Sequence, residues 1–465
     1  MRMVKKDWLS VILVGALVLI VGIGLLVKYG MERAMAEEVL AKFPDRGVPR
    51  INITLNGVSL EEINAGSKDV KYEGNWLDLY EGDEKTLEAS GVRVKGRGNA
   101  TWEWVPDKKP YKIKFEKKVD LFGLGKAKKW NLLANHMDDS NLRNDTAFYL
   151  ANMLGMEYAY SGKYVELYID GEYRGLYYLT RGVEISNTTV DLRNPLGVLV
   201  ELDNIYGELE EYSARTINDD VMAVKDVVSE DNAKMAFDGF MDDFNIFESA
   251  LNESDFEKVA EVIDVESFAK YYLLSEFTVN PDAYWTSFYF YKDGVNDKIH
   301  AGPGWDYDFA LANRGWGNWL GERFYSPTES MIRKEELKPL EFYLDNGLST
   351  EQYKNSTNIS DIIYRLMEMR EFRSVVNAVY NDTLLGKKMS LLNHLNDKKN
   401  EISKAAHANE EVWGRNTFET EAARLTDWVE RRYDYMDETF RLSEMDIVEG
   451  LKEITKDDIL ELGEL

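Results

Sequence analysis

Three aspartates gathered in one short run are the residues best suited to chemistry in this chain. Residues 280–309 read NPDAYWTSFYFYKDGVNDKIHAGPGWDYDF and set Asp282, Asp306 and Asp308 around an aromatic strand pattern and a turn at Gly294. A carboxylate before one strand and a pair after the next meet at one end of a hairpin. The Asp-x-Asp spacing puts two carboxylates on one face of an extended segment, and hard divalent cations such as Mg²⁺ or Mn²⁺ choose such oxygens. Pro303 restrains the backbone just before Asp306, and Trp305 and Tyr307 can bury rings on either side. Ser287, five residues after Asp282, adds a hydroxyl as a weaker metal ligand.

Upstream elements have to bring a second set of groups to these acids. Lys95 and the turn Gly96-Arg97-Gly98-Asn99 follow a strand pattern, and glycines there let backbone amides approach phosphate oxygens. The next strand, YKIKF at residues 111–115, alternates Tyr111, Ile113 and Phe115 on one face with Lys112 and Lys114 on the other. Residues 140–156 read as a helix with Ser140 as N-cap and Gly155 at its end, carrying Arg143, Asn144 and Asp145 in its first turns. A hairpin turns at Asp170-Gly171 and leads to Arg181 and Glu184. The apolar stretch 197–203 ends in Glu201 and Asp203, a pair that serves either catalysis or an ion pair. Residues 219–275 read as mostly helical and deliver Glu276 and Asn280 to the acidic run.

Three blocks in order, GRGNATWEWVPDKKPYKIKF, KKWNLLANHMDDSNLRNDTAFYLANMLGM and YVELYIDGEYRGLYYLTRGVEI, together with the Asp-x-Asp run, resemble the CotH family, the spore-coat protein H type of atypical kinases, over about residues 92–313. The resemblance implies an α+β, two-lobed atypical protein-kinase-like fold: an N-lobe antiparallel sheet plus helix over residues 47–185 and a mostly helical C-lobe over 186–442. It also implies a kinase that uses ATP with Mg²⁺ or Mn²⁺ on Ser or Thr of a protein. By that resemblance Asp282 accepts the substrate hydroxyl proton and Lys114, or its neighbour Lys112, is the phosphate-binding lysine. Arg97, Gly98, Asn99, Arg143, Glu184 and Glu201 then belong to the nucleotide site, Asn144 is associated with it, and Asp306, Asp308 and Ser287 belong to the metal. Two departures stand out: Ser287 replaces the Asn that kinases place five residues after the catalytic Asp, and Arg181 replaces the family's Glu. They keep open an inactive kinase-fold scaffold of a coat or cell-surface structure. A glycan-active enzyme using Glu201 with Asp306 or Asp308 is a further alternative.

At 465 residues with 44% hydrophobic and 12% aromatic side chains, the chain can bury a large core and is not a disordered polymer. Its formal charge of −27 repels nucleic acid and suits either a basic protein partner or solubility alone. The absence of cysteine excludes disulfides and thiolate chemistry, and the four histidines lack zinc-ligand spacing. Residues 9–27 form an apolar run behind Arg2, Lys5 and Lys6, which leads us to expect a transmembrane helix after a cytoplasmic tail of residues 1–8. The body would then be extracytoplasmic, behind a stalk helix over residues 28–46. A cleaved signal peptide ending at Ala34-Met35-Ala36 is the competing expectation. Residues 443–465 form an acidic tail.

Overall fold

The structure, a computed structural model, describes residues 4–103, 105, 108–280, 283–313 and 360–441. Helix α1 (Val4–Lys42) opens the chain. Seven strands then form a closed barrel: β1 (Arg50–Thr54), β2 (Tyr72–Glu81), β3 (Glu84–Gly96), β4 (Tyr111–Asp120), β5 (Lys126–Leu133), β6 (Gly162–Ile169) and β7 (Glu172–Thr180). Three helices interrupt them: α2 (Leu60–Ala65), α3 (Ala100–Glu103) and α4 (Arg143–Met153). Strand alternation fills the barrel with one apolar face of each strand, including Ile53, Val94, Ile113, Trp130, Leu132 and Val165. The opposite face of β3 and β4 carries Lys95, Arg97, Lys112 and Lys114, all only partly buried.

The barrel corrects the expected kinase-like N-lobe. An open antiparallel sheet leaves its edges free, whereas here β1 pairs in parallel with β6, Arg50 opposite Glu166, and the sheet closes on itself. The two-lobed kinase-like fold behind a transmembrane helix is therefore not the observed architecture. The membrane span is corrected as well: among the described residues no helix is long and apolar enough to cross a membrane. In α1 the apolar run of residues 9–27 continues without a break into Lys28, Arg33, Glu37 and Glu38 of the same helix. The expected single-pass placement in the cell membrane is corrected with it.

The second half builds a five-stranded sheet in the order β12-β11-β8-β10-β9. Its strands are β8 (Gly197–Leu202), β9 (Ser213–Arg215), β10 (Val221–Val227), β11 (Phe288–Asp293) and β12 (His300–Ala301). Helices α5 (Ala233–Glu253), α6 (Phe256–Val262) and α7 (Val265–Thr278) lie between β10 and β11 in sequence. Strand β10 thus stands where helix was expected. The amphipathic α5 buries Phe237, Phe240, Phe244 and Phe247 at helical spacing, and Phe240 and Phe244 stack beside Phe290 of β11. Among the described residues four further helices follow: α8 (Ile362–Glu368), α9 (Arg370–Thr383), α10 (Lys388–Trp413) and α11 (Phe418–Phe440). The second core extends through all of these and reaches α4, which packs Phe148 against Trp305 and Tyr307.

Candidate active site

Residues 279–312 hold an unusual share of the strained backbone. Val279, Ser287, Asp306, Leu311 and Ala312 all have positive φ, five of the eleven non-glycine residues that do so among the described residues. Each such residue costs about 1–3 kcal/mol and persists only where its surroundings force it, a pattern that clusters at active sites. At Asp306 (φ +63) the left-handed turn follows immediately after Trp305, whose ring is buried against Phe148 and Tyr160.

Two amides hold the Asp-x-Asp pair. Asn280 Nδ2 donates to the Asp306 carbonyl at 3.2 Å. From α4, Asn144 Nδ2 donates to Asp308 Oδ1, and Asn144 Oδ1 accepts from the Tyr307 amide at 3.0 Å. Helix α4 starts three residues later than expected, and Asp138 shares its first amides with Ser140: Asp138 Oδ2 accepts from Arg143 N at 2.9 Å and Ser140 Oγ from Leu142 N at 3.2 Å. Ser140 also donates its hydroxyl to Asp138 Oδ1 at 2.6 Å.

The electrostatics of the pair are those of acids crowded into a half-buried site. Burial pushes Asp308 up from the carboxylate range, and the charges of Asp306 and Asp138 push it further. Burial likewise raises Asp306; Arg97 opposes this, Glu201 adds to it and Lys225 opposes it. Arg97 is itself lowered by burial and supported by both aspartates. The turn after β3 and the Asp-x-Asp segment therefore lie within charge–charge range of one another. Gly98 (φ +75) is required in that turn, because a Cβ there would lie 2.1 Å from Thr101 Oγ1. Asn99 is exposed and accepts from Lys68.

On the outer face of β4, Lys112 is the lysine embedded in this charge cluster. Burial lowers it to about 8; Glu184 pulls it up, while Lys129, Lys95 and Arg97 push it down. Glu184 accepts from Lys129 Nζ at 2.7 Å and from Arg181 Nη2 at 3.2 Å, so the unexpected Arg181 orients Glu184. Lys114 stands one pleat further along, opposite Arg93 and Lys129. Arg143 is fully buried and bonded to Asp138, Ser140 and the Ala310 carbonyl. Glu276 is tied to Arg432 in a buried ion pair.

From the second sheet, Glu201 Oε1 accepts from Tyr289 Oη at 2.9 Å and Glu201 Oε2 from Lys225 Nζ at 2.7 Å. The Glu201 carboxylate is thus an ion-pair member, whereas Asp203 caps a turn by accepting from the Ile205 and Tyr206 amides. Ser287 hydrogen-bonds Tyr289, whose ring lies 5.4 Å beneath the Lys225 ammonium. Lys225, Tyr289 and Asp138 were not singled out in the sequence. The signal for Lys225 was a lone lysine in VMAVKDV. It occupies the β-bulge between Val224 and Asp226, which re-aims its side chain. Asp282 lies outside the described residues.

The fit of a divalent cation rests on this donor set. Among the described residues no group of three or more Asp, Glu or His is arranged to hold a metal. Two adjacent carboxylates, each raised by burial, nevertheless suit Mg²⁺, which commonly takes one or two carboxylates and completes its shell with substrate phosphates and water. A separate cavity of about 240 Å³, between Met156, Ser267, His300 and Pro303, shares no lining residue with this site.

A family model described as CotH kinase protein matches residues 92–436, which takes in the barrel from β3 onward, the second sheet and α11. The chain belongs to the CotH family. Membership makes it a CotH-type kinase or a related scaffold, and it covers every element that carries the cluster around Asp306. No curated protein matches the chain.

Proposed function

We propose that this CotH-family chain is an ATP-dependent phosphotransferase acting on Ser or Thr hydroxyls of a protein. The observation that carries the reading is the raised, adjacent pair Asp306 and Asp308 within charge–charge range of the barrel's Arg97 and Lys112 cluster. Carboxylates for a cation opposite cations for phosphates are what a metal–nucleotide site needs.

In this proposal Arg97, Lys112 and the amides of Gly98 and Asn99 bind the phosphate oxygens, the Arg97 amide being taken by the Pro110 carbonyl at 3.3 Å, with Lys114 and Lys95 adding field from the same face. The structure favours Lys112 over Lys114 for the closest contact, because Lys112 shares its charge environment with Arg97 and Glu184. Asp306 and Asp308 would hold Mg²⁺ or Mn²⁺, with Asn144 fixing the orientation of Asp308; such an ion, when bound, neutralises phosphate charge. Asp282, from the family pattern, orients the acceptor hydroxyl and takes its proton. The acceptor oxygen bonds to the γ-phosphorus as the bond to the β,γ-bridging oxygen breaks, and ADP leaves. Positioning and charge stabilisation supply most of the barrier reduction in such reactions. The surplus of acidic residues, −27 overall, supports a basic protein as substrate.

The direct test of the nucleotide site is ligand-induced stabilisation. ATP with Mg²⁺ raises the melting temperature of the full chain, and Asp306→Asn abolishes the Mg²⁺-dependent part. A chain indifferent to nucleotide in both forms points instead to the scaffold.

A further inference from the structure

The segment that follows Asp308 is held from far away in sequence. Leu311 and Ala312 both have φ +53, two successive left-handed non-glycine residues. Such a backbone does not keep its shape unless its polar groups are gripped. The Ala310 carbonyl accepts from Arg143 Nε at 3.1 Å and the Ala312 carbonyl from Arg424 Nη1 at 2.5 Å. Between these arginines lies Glu421. It pairs with Arg424 on its own helix, and its Oε2 stands 3.6 Å from Arg143 Nη2, an atom without a hydrogen-bond partner among the described residues. The same helix also holds the other flank of the site. Arg432 donates from Nη2 to Glu276 Oε1 at 2.7 Å and from Nε to the Phe277 carbonyl at 3.3 Å, and Leu311 N closes the gap by donating to the Thr278 carbonyl at 2.7 Å. Glu421, Arg424, Trp428 and Arg432 recur at helical spacing along one face of α11.

We propose that Glu421 and Arg424 of α11, acting with Arg143 of α4, are positioning residues that set the loop carrying Asp306 and Asp308 in its metal-binding shape. The proposal rests on the reading of those two aspartates as the metal ligands. The relay touches neither substrate nor metal. Its two arginines clamp two carbonyls of a strained turn and Glu421 ties the arginines together, so that Asn144 meets Asp308 in the right place. The C-terminal helix is on this account part of the site's outer support and not an accessory domain.

The test uses the full chain with a non-hydrolysable ATP analogue and Mn²⁺, whose binding is followed by electron paramagnetic resonance without turnover. Arg424→Met weakens Mn²⁺ binding about tenfold, the size of effect typical of residues that support metal ligands from behind. Arg424→Lys restores most of it, and Glu421→Gln shifts it in the same direction as Arg424→Met. Arg431→Met, on the exposed side of the same helix and paired with Asp427, leaves it unchanged. Should Arg424→Met fail to fold, Glu421→Gln gives the same readout. A lowered melting temperature in Arg424→Met and Glu421→Gln with Mn²⁺ affinity within twofold of the parent chain would reduce the relay to a stability device and overturn the proposal. A parent chain that binds no Mn²⁺ with the analogue overturns the metal reading itself, and the relay with it.

Discussion

Asn144 and Asp308 meet across 164 positions of sequence, the amide nitrogen donating to the carboxylate while the amide oxygen accepts from Tyr307 N. One side chain thus fixes both the rotamer of an acid and the backbone beside it. Burial and the charges of Asp306 and Asp138 would otherwise favour the protonated acid, and the amide bond counters that tendency.

Replacing Asn144 by Leu removes both bonds at once. Affinity for Mg²⁺–nucleotide should fall about tenfold or more, as for other residues that orient metal ligands. Stability should fall by about 1–3 kcal/mol, because the Tyr307 amide is left buried and unpaired. Nucleotide titration and urea denaturation measure the two separately; an unchanged affinity would remove Asn144 from the site.

The pH response of Lys112 separates binding from folding. Its folded pKa of about 8 lies below the ordinary 10.5, so between those values the unfolded chain keeps a proton that the folded chain has lost. This lysine's contribution therefore favours folding more as pH rises through that window. Phosphate binding needs the charged form, so nucleotide affinity should fall as pH rises through about 8. Glu184→Gln removes the group that holds the ammonium charged, and the loss of affinity should begin at lower pH. A pH profile identical in Glu184→Gln and the parent chain is the contrary result.

Glu276 and Arg432 behave as scaffold. Their pair is almost fully buried, so Arg432→Met takes the arginine from a buried carboxylate and should cost about 3–5 kcal/mol in denaturant unfolding. Combining it with Glu276→Leu removes that buried charge and should recover most of that loss. A double variant no more stable than the single one would show that packing, not charge, dominates there.

Local patterns in the sequence were legible. The Asp170-Gly171 turn, the YKIKF alternation and the helical character of α5 all appear where period and turn chemistry place them. What could not be read is set by distant partners. Parallel pairing of β1 with β6 closes a barrel between strands more than a hundred residues apart and leaves no local mark on either one. Val221–Val227 reads VMAVKDV, and the bulge at Lys225 breaks the strict alternation that marks a strand, so the strand went unseen. The acidic pair and the lysine strand were visible as candidates. Only the fold shows that Lys112 shares its surroundings with Arg97, that Arg143 is enclosed, and that Glu201 is already paired with Lys225.

The measurement that bears most directly on the proposed activity is transfer of label from γ-labelled ATP to a basic protein by the full chain with Mg²⁺ or Mn²⁺. Acid-stable label on Ser or Thr that disappears in Asp306→Asn is the predicted result. Equal label in both chains, or none in the parent chain while it still binds nucleotide, would contradict it.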